Sequence, residues 1–347
     1  MPRWIPRASR HLQKYLLGYS LLAIAVGWSL GLVAPMPSQA VSGGLAHATT
    51  VLVFLMIYPM MINLDLSVLP RAFREPRPVL MSLLYNFVLT PILSLGLVWL
   101  LIHDSQLALG FLLVMLIPGS SMSVAYAGLA EGSLEVATVA LAANFLLVPF
   151  LLPLLLHILS RAYSVTVPLG QLLTSIALVL ILPMVVAAVT RWGIIRTRGQ
   201  RALTQAKPLF GLATMGSMLV TVGLIFFMKG RLLLGHWTLL IPLLAATLIY
   251  LAIILPLITW LDRRVGISYG DHMGIAFLST GKNNGTAIAI AVLAFSPLVA
   301  IPAATLPLFQ IVFLVGYVNL APRVRAYFGR RASGSAPESR PMKRTPG

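Results

Sequence analysis

The sequence contains no cysteine and very few acidic residues. The absence of cysteine excludes disulfide bonds, thiolate metal sites and cysteine nucleophiles. Only 8 of the 347 residues are aspartate or glutamate, and charged residues of both signs make up 10% of the chain. A soluble domain carries about 25% charged residues, so this shortage of charge excludes an ordinary soluble protein.

Apolar residues dominate the composition. They make up 59% of the chain, and the mean hydropathy is +0.93. The sequence therefore predicts an all-α polytopic membrane protein with ten transmembrane helices, because each of ten apolar segments can cross a hydrocarbon core about 30 Å thick. These segments lie at about 12–34, 48–69, 79–102, 107–130, 134–157, 168–190, 207–228, 237–261, 273–295 and 298–320.

The basic residues are distributed unevenly between the two sides of this predicted topology. The termini and loops of one side hold 21 of the 25 lysines and arginines, and the opposite loops hold only Arg161, Lys229 and Arg231. The positive-inside rule then places both termini in the cytoplasm, and we expect a bacterial inner (plasma) membrane protein. The net charge of +17 reports topology in a lipid bilayer and gives no reason to expect nucleic acid as a partner.

The two halves of the chain resemble each other. Tyr85 and Pro91 in the third segment recur as Tyr250 and Pro256 in the eighth, at an offset of 165 residues. Five spans separate the equivalents, and because five is odd the halves are inverted, as in many secondary transporters. The predicted organisation is a cytoplasmic N-terminus at 1–11, a first five-helix repeat at 12–157, a second inverted repeat at 158–322 and a basic, disordered cytoplasmic tail at 323–347.

Polar, glycine-containing stretches interrupt the fourth and ninth segments, at 118–123 and 279–286. Either stretch alone is equally compatible with a kink or a close helix contact. Their occurrence in corresponding spans favours a site, because unwound backbone at membrane depth must be buried or line a wet cavity. We expect the broken helices 4 and 9 to cross at the midplane, where their N-terminal dipoles attract anions.

Lys282 is the most deeply placed ionisable residue. It lies eleven residues beyond Asp271, which is about 16 Å along a helix. Three roles are open: a structural lysine that donates to carbonyls of an unwound helix end, a fixed positive charge that binds an anionic substrate, or a group that gains and loses a proton during transport. The predicted substrate-binding residues are Ser120, Ser121, Ser123, Ser279, Lys282, Asn283, Asn284 and Thr286.

The sequence gives little sign of catalytic or metal chemistry. All six histidines lie at or beyond predicted span ends, and none is spaced to share a metal ion with a carboxylate. The serines have no buried histidine or aspartate to activate them. We therefore predict no metal, no cofactor and no enzymatic activity.

Three motifs resemble the bile acid:sodium symporter superfamily, which includes arsenical-resistance permeases. Residues 57–61 with 69–74 resemble the second span and following loop of the arsenical permeases. Residues 118–123 with 129–132 are similar to the fourth-span motif of the bile acid symporters, and Asn283-Asn284 to the ninth span of both. The resemblance implies ten helices in a panel and a core domain, with spans 4 and 9 crossing at the site.

The sequence departs from this family at the ion-binding positions that the resemblance implies. The residues that stand where sodium ligands are expected are Val124, Ala137, Leu141 and Ser279. We therefore predict that Lys282 replaces bound sodium and that transport is sodium-independent. Arsenical permeases carry a fourth-span cysteine and a ninth-span glutamate, but this chain has no cysteine and has Thr286 at the glutamate position.

Together these features predict a secondary active transporter that moves a small anionic organic solute by alternating access. One alternative is an arsenite or oxyanion efflux permease of the arsenical-resistance type. A second, from a different class, is a passive channel. The sequence leaves substrate identity, transport direction, coupling ion and oligomeric state open.

Overall fold

The computed structural model describes residues 4–33, 39–73, 76–161, 169–235 and 237–329. Within these ranges the regular secondary structure is entirely helical. Most of the predicted tail, residues 330–347, lies outside the described part of the chain. The α-helices are α1 Trp4–Lys14, α2 Leu16–Val33, α3 Gln39–Asn63, α4 Pro76–Leu84, α5 Thr90–Leu101, α6 Ser105–Met115, α7 Ser121–Leu129, α8 Leu134–Arg161, α9 Leu169–Ile176, α10 Leu182–Gly235, α11 Leu240–Val265, α12 Tyr269–Thr280, α13 Asn284–Ala294, α14 Ile301–Asn319 and α15 Ala321–Gly329.

The helices are long and apolar enough for a membrane protein. Six helical stretches in the described ranges can cross a membrane, or up to seven if the pair Ala48–Asn63 and Leu66–Ala72, bent by 49°, forms one span. The prediction of an all-helical polytopic membrane protein is confirmed at this level. The count of ten spans and the inverted symmetry stay predictions.

Two wide π-helical turns interrupt otherwise α-helical stretches. They are Tyr85–Leu89, between α4 and α5, and Ala177–Ile181, between α9 and α10. Each ends two residues before a proline, Pro91 or Pro183. Because proline has no N–H to donate to the preceding turn, the wider turn accommodates the lost α-helical hydrogen bond. These turns place side chains differently from a continuous helix.

Both predicted interruptions are present. α6 ends at Met115 and α7 begins at Ser121, while α12 ends at Thr280 and α13 begins at Asn284. Pro118 in the first gap cannot donate a backbone hydrogen bond, and polar side chains start the helix that follows each gap. Every residue from His272 to Ala291 is buried, so these broken helices lie at the centre of the packed structure.

The two interruptions contact each other directly. The Gly119 N–H donates to the Leu278 carbonyl at 2.9 Å, and Ser123 Oγ donates to the Gly281 carbonyl at 3.4 Å. A Cβ atom on Gly119 would lie 2.4 Å from the Gly281 oxygen, closer than van der Waals contact allows. A glycine is required there because the two backbones approach each other so closely.

Candidate functional site

The two helix interruptions line one cavity of about 460 Å³. Residues of α1, α2, α3, α10 and α14 complete its wall. Six of the eight predicted site residues line it: Ser120, Ser121, Ser123, Lys282, Asn283 and Asn284. Ser279 and Thr286 are fully buried and are not among the lining residues. The structure thus brings most of the predicted site together and places two residues behind it.

The Lys282 side chain is only 2% exposed, although the residue lines the cavity. Its Nζ donates to Asn86 Oδ1 at 2.9 Å. Asn86 belongs to the π-helical turn Tyr85–Leu89 and was not predicted as a site residue. The ammonium therefore lies between the cavity and a buried amide of a neighbouring span.

Gln310 of α14 holds the backbone of Lys282. The Lys282 N–H donates to Gln310 Oε1 at 3.0 Å, and Gln310 Nε2 donates to the Lys282 carbonyl at 3.3 Å. An unwound backbone in a membrane protein needs such partners, because its polar groups lack the bonds of a regular helix. The Gln310 amide provides the hydrogen-bond partners that a continuous helix would otherwise supply to the Lys282 backbone.

Ser279 belongs to a polar layer behind the lysine. Asn86 Nδ2 donates to Ser279 Oγ at 3.3 Å and to the Ser82 carbonyl at 3.0 Å. Asn144 Nδ2 in turn donates to Ser82 Oγ at 2.8 Å. These contacts point the oxygen of the Asn86 amide at the Lys282 ammonium. Ser279 contacts Asn86 and does not line the cavity.

The helices that follow the two gaps begin with side-chain caps. Ser120 Oγ accepts from the Met122 N–H at 3.3 Å, and Asn283 Oδ1 accepts from the Thr286 N–H at 3.1 Å. Asn283 Nδ2 also donates to Met60 Sδ at 3.1 Å. Asn283 thus joins the start of α13 to α3, while Ser121 is exposed to the cavity.

Some buried oxygens beside the second gap have no hydrogen-bond partner. They include Asn284 Oδ1, Thr286 Oγ1 and Thr280 Oγ1. An unpartnered buried oxygen is costly, at about 1–3 kcal/mol. Asn284 also lines the cavity, although its Oδ1 atom is itself buried.

The charged side chains that line the described part of the cavity are all basic. Among the described residues that line it, the charged ones are Arg10, Lys207 and Lys282, and none is an aspartate or glutamate. Arg10 belongs to α1, a helix that begins within the segment 1–11 assigned from sequence to the N-terminus and ends at Lys14, and α1 packs against α10. The contact of this helix with the cavity was not predicted from the sequence, because its basic residues matched a topology signal.

Asp65 lies away from this cavity. Its carboxylate forms an ion pair with Arg191 of α10. Both residues line a separate pocket of about 470 Å³. Asp65 therefore does not neutralise Lys282.

Two sequence-based expectations were wrong: that no histidine pairs with a carboxylate, and that the chain has no buried histidine or aspartate. His272 and Asp262 are both fully buried, and His272 Nδ1 lies 2.6 Å from Asp262 Oδ2. The short turn between α11 and α12 folds the two residues together, although ten positions separate them. Within the described residues, no group of three or more potential metal ligands occurs.

The family model for the sodium bile acid symporter family matches residues 50–236, which is more than half of the chain. The chain belongs to the sodium bile acid symporter family. Members of this family are transporters, so the protein is a membrane transporter of a small solute and not an enzyme.

Curated members and relatives of the symporter family match along most of the chain. An uncharacterized transporter of Synechocystis sp. is 26% identical over 82% of this chain and 80% of its own length. The arsenical-resistance protein Acr3 of Alkaliphilus metalliredigens is 23% identical over 65% of this chain and 67% of its own. An uncharacterized sodium-dependent transporter of Bacillus subtilis is 23% identical, with coverages of 74% and 77%.

Proposed function

We propose that this symporter-family protein is a secondary active transporter that moves a small anionic organic solute by alternating access. One observation carries the proposal: the charged residues that line the cavity at the crossing of the two broken helices are all basic. Such a cavity attracts anions and repels cations. The proposed location is the bacterial inner membrane, with both termini in the cytoplasm.

The proposed binding residues have distinct roles. Lys282 provides the opposite charge, and Arg10 and Lys207 draw the anion toward it. The hydroxyls of Ser120, Ser121 and Ser123 and the amides of Asn283 and Asn284 bind the polar groups of the solute. Ser279 and Thr286 support this set from behind, because neither lines the cavity.

The proposed topology has ten spans in two inverted five-helix repeats. One stretch, Gly170–Leu232, is 63 residues long, which at about 1.5 Å per residue is roughly three times the thickness of a hydrocarbon core. It contains Gly199, whose φ of +77° is not helical. A reversal at Gly199 turns this stretch into two spans, and the broken pairs α6–α7 and α12–α13 supply two more.

The anion proposal is tested by a thermal-shift screen of the purified protein. Organic anions, inorganic oxyanions including arsenite and arsenate, organic cations and neutral solutes are compared at equal ionic strength. A ligand that binds only the folded state raises the melting temperature, with about 2.7 kcal/mol of stabilisation at a hundredfold excess over Kd. We expect stabilisation by one or a few organic anions. Stabilisation by cations or neutral solutes alone would contradict the proposal.

The proposed transport does not depend on sodium. Lys282 places an ammonium against Asn86 Oδ1, and we propose that this fixed charge replaces the coupling cation. We expect uptake of the identified anion into proteoliposomes to be unchanged when sodium is replaced by choline. A collapse of uptake in choline would show that sodium is still bound.

The alternatives give different results in the same assays. The similarity to Acr3 favours an oxyanion permease, but a chain without cysteine cannot capture arsenite by thiolates. Stabilisation by arsenite alone would favour this alternative. A flux that rises linearly with solute concentration and never saturates would favour a passive channel.

A further inference from the structure

A second polar cluster lies outside the cavity lining. It comprises Tyr85, Thr259, Asp262, His272 and Tyr317, which we call the aspartate–histidine cluster. Asp262 and His272 are completely buried, and none of the five residues lines the cavity. The transport site proposed above does not use these two titratable groups.

The donors and acceptors in this cluster can be assigned by starting from Thr259, at one end of the row of hydrogen bonds. Thr259 Oγ1 donates to the Leu255 carbonyl at 2.7 Å, and a carbonyl can only accept. Thr259 therefore accepts from the Tyr317 hydroxyl at 2.6 Å. The Tyr317 oxygen must then accept from His272 Nε2 at 2.7 Å, so Nε2 carries a proton.

The position of the next proton follows from the same reasoning. Tyr85 donates its hydroxyl proton to Asp262 Oδ1 at 2.5 Å. The 2.6 Å contact between His272 Nδ1 and Asp262 Oδ2 needs one proton between them, on either the ring or the carboxyl group. In both arrangements the pair is neutral overall. Loss of this shared proton leaves a net negative charge in a buried place, which is unfavourable.

Helix α15 covers the pair. The Phe328 ring stacks on the His272 ring at a centroid distance of 4.9 Å. The helix is held by exposed contacts: Arg325 with Glu131 at 2.6 Å, and Arg263 over the Tyr327 ring at 3.8 Å. The Phe328 side chain of α15 therefore covers one face of the His272 ring.

The ionisable groups around the Asp262–His272 pair make their contacts with other residues. These are Arg325 over the Tyr269 ring, Asp271 with Ser268, Arg264 over the Trp260 ring, Glu135 with Arg71, and the Tyr269 hydroxyl with the Ala130 carbonyl. The side-chain hydrogen bonds of Asp262 and His272 are with each other and with the two tyrosines.

The cluster is physically connected to Lys282. Tyr85, which bonds Asp262, and Asn86, which bonds Lys282, are consecutive residues of the π-helical turn Tyr85–Leu89. Such wide turns are frequent at functional sites in helices. A change at Asp262 that moves Tyr85 also moves the acceptor of the Lys282 ammonium.

We propose that Asp262 and His272 form a proton-binding site, covered by α15 and linked to Lys282 through Tyr85 and Asn86. The pair takes one proton from water and returns one proton to water in each transport cycle. The inference rests on the proposed function, because it adds a proton-binding step to that transport cycle.

The test measures the protonation of His272 without any solute. The full chain is labelled with ¹⁵N-histidine in lipid nanodiscs, and the His272→Gln variant identifies its signals among the six histidines. We expect Nε2 to stay protonated and the shared proton to be lost as pH rises within the range where the protein is folded. Asp262→Asn keeps a partner for Tyr85, and we expect it to abolish this titration. Lys282→Met should shift its midpoint.

The proposed covering of the pair by α15 is tested by measuring the rate of proton exchange with water at His272 Nε2. We expect Phe328→Ala to accelerate exchange at least tenfold, while Arg323→Ala, which truncates an exposed side chain on the same helix, leaves the rate unchanged. A His272 ring that keeps one protonation state across the folded pH range, in both the wild type and Phe328→Ala, would overturn the inference. If Asp262→Asn does not fold, the wild-type titration and the exchange rates still decide.

The outcomes separate this inference from the proposed function. If an anion binds in a Lys282-dependent manner but His272 does not titrate, only the proton site is wrong. If His272 titrates and no anion stabilises the protein, the proposed anion transport is wrong.

Discussion

Lys282→Met is expected to weaken binding of the transported anion about ten- to hundred-fold. A hydrogen bond to a charged group contributes about 1.5–3 kcal/mol, and about 1.4 kcal/mol corresponds to a tenfold change in Kd. Methionine fills much of the same volume and removes a buried charge, so the fold should survive even though Asn86 Oδ1 loses its partner. Calorimetric titration with the anion found in the thermal-shift screen measures the effect.

Two control variants make this result interpretable. Lys282→Arg keeps the charge and should retain much of the affinity. Lys14→Met removes an exposed lysine that does not line the cavity, and it should bind like the wild type. Wild-type affinity in Lys282→Met would show that the lysine is structural, its ammonium serving only to bond Asn86.

Gly119→Ala is expected to disrupt the crossing of the two broken helices. The added Cβ would lie 2.4 Å from the Gly281 oxygen and 2.7 Å from the Leu278 oxygen, and both are backbone atoms that cannot rotate away. Overpacking of this kind costs about 1–3 kcal/mol and sometimes more. The separation also breaks the hydrogen bond from the Gly119 N–H, so we expect a lower melting temperature together with loss of anion binding.

Gly18→Ala is the matched control for this substitution. Nothing lies within 4 Å of a Cβ built on Gly18, which also belongs to a membrane-spanning helix. We expect this variant to melt and bind like the wild type, or slightly better because alanine favours the helix. If Gly119→Ala behaves in the same way, the close contact between the two gaps does not support the site.

The sequence predicted the two interruptions because they have a local signal. Pro118 and Gly119 in one span and Gly281 and Gly285 in another stand among polar residues inside apolar segments, and such combinations break membrane helices. Lys282 was equally visible as an isolated charge. The residues of these stretches that line the cavity could therefore be named from the sequence, whereas the burial of Ser279 and Thr286 behind it could not.

The partners of Lys282 could not be predicted in this way. Asn86 is 196 positions away along the chain, and Gln310 is 28 positions away. Each is a single uncharged amide in an apolar span, and periodicity reports which face of a helix is polar but not which residue of another helix it meets. The pairing of Asp262 with His272 was missed for a similar reason, because their contact depends on how a short turn folds.

Gln310 has a consequence for how this protein can change over evolutionary time. Its amide bonds both the backbone N–H and the backbone carbonyl of residue 282, and these bonds do not depend on the side chain at that position. On the role proposed for Lys282, a single codon change there alters the solute that the cavity binds and leaves this backbone support in place. Related proteins can then come to bind different solutes through substitutions at position 282, while Gln310 is retained.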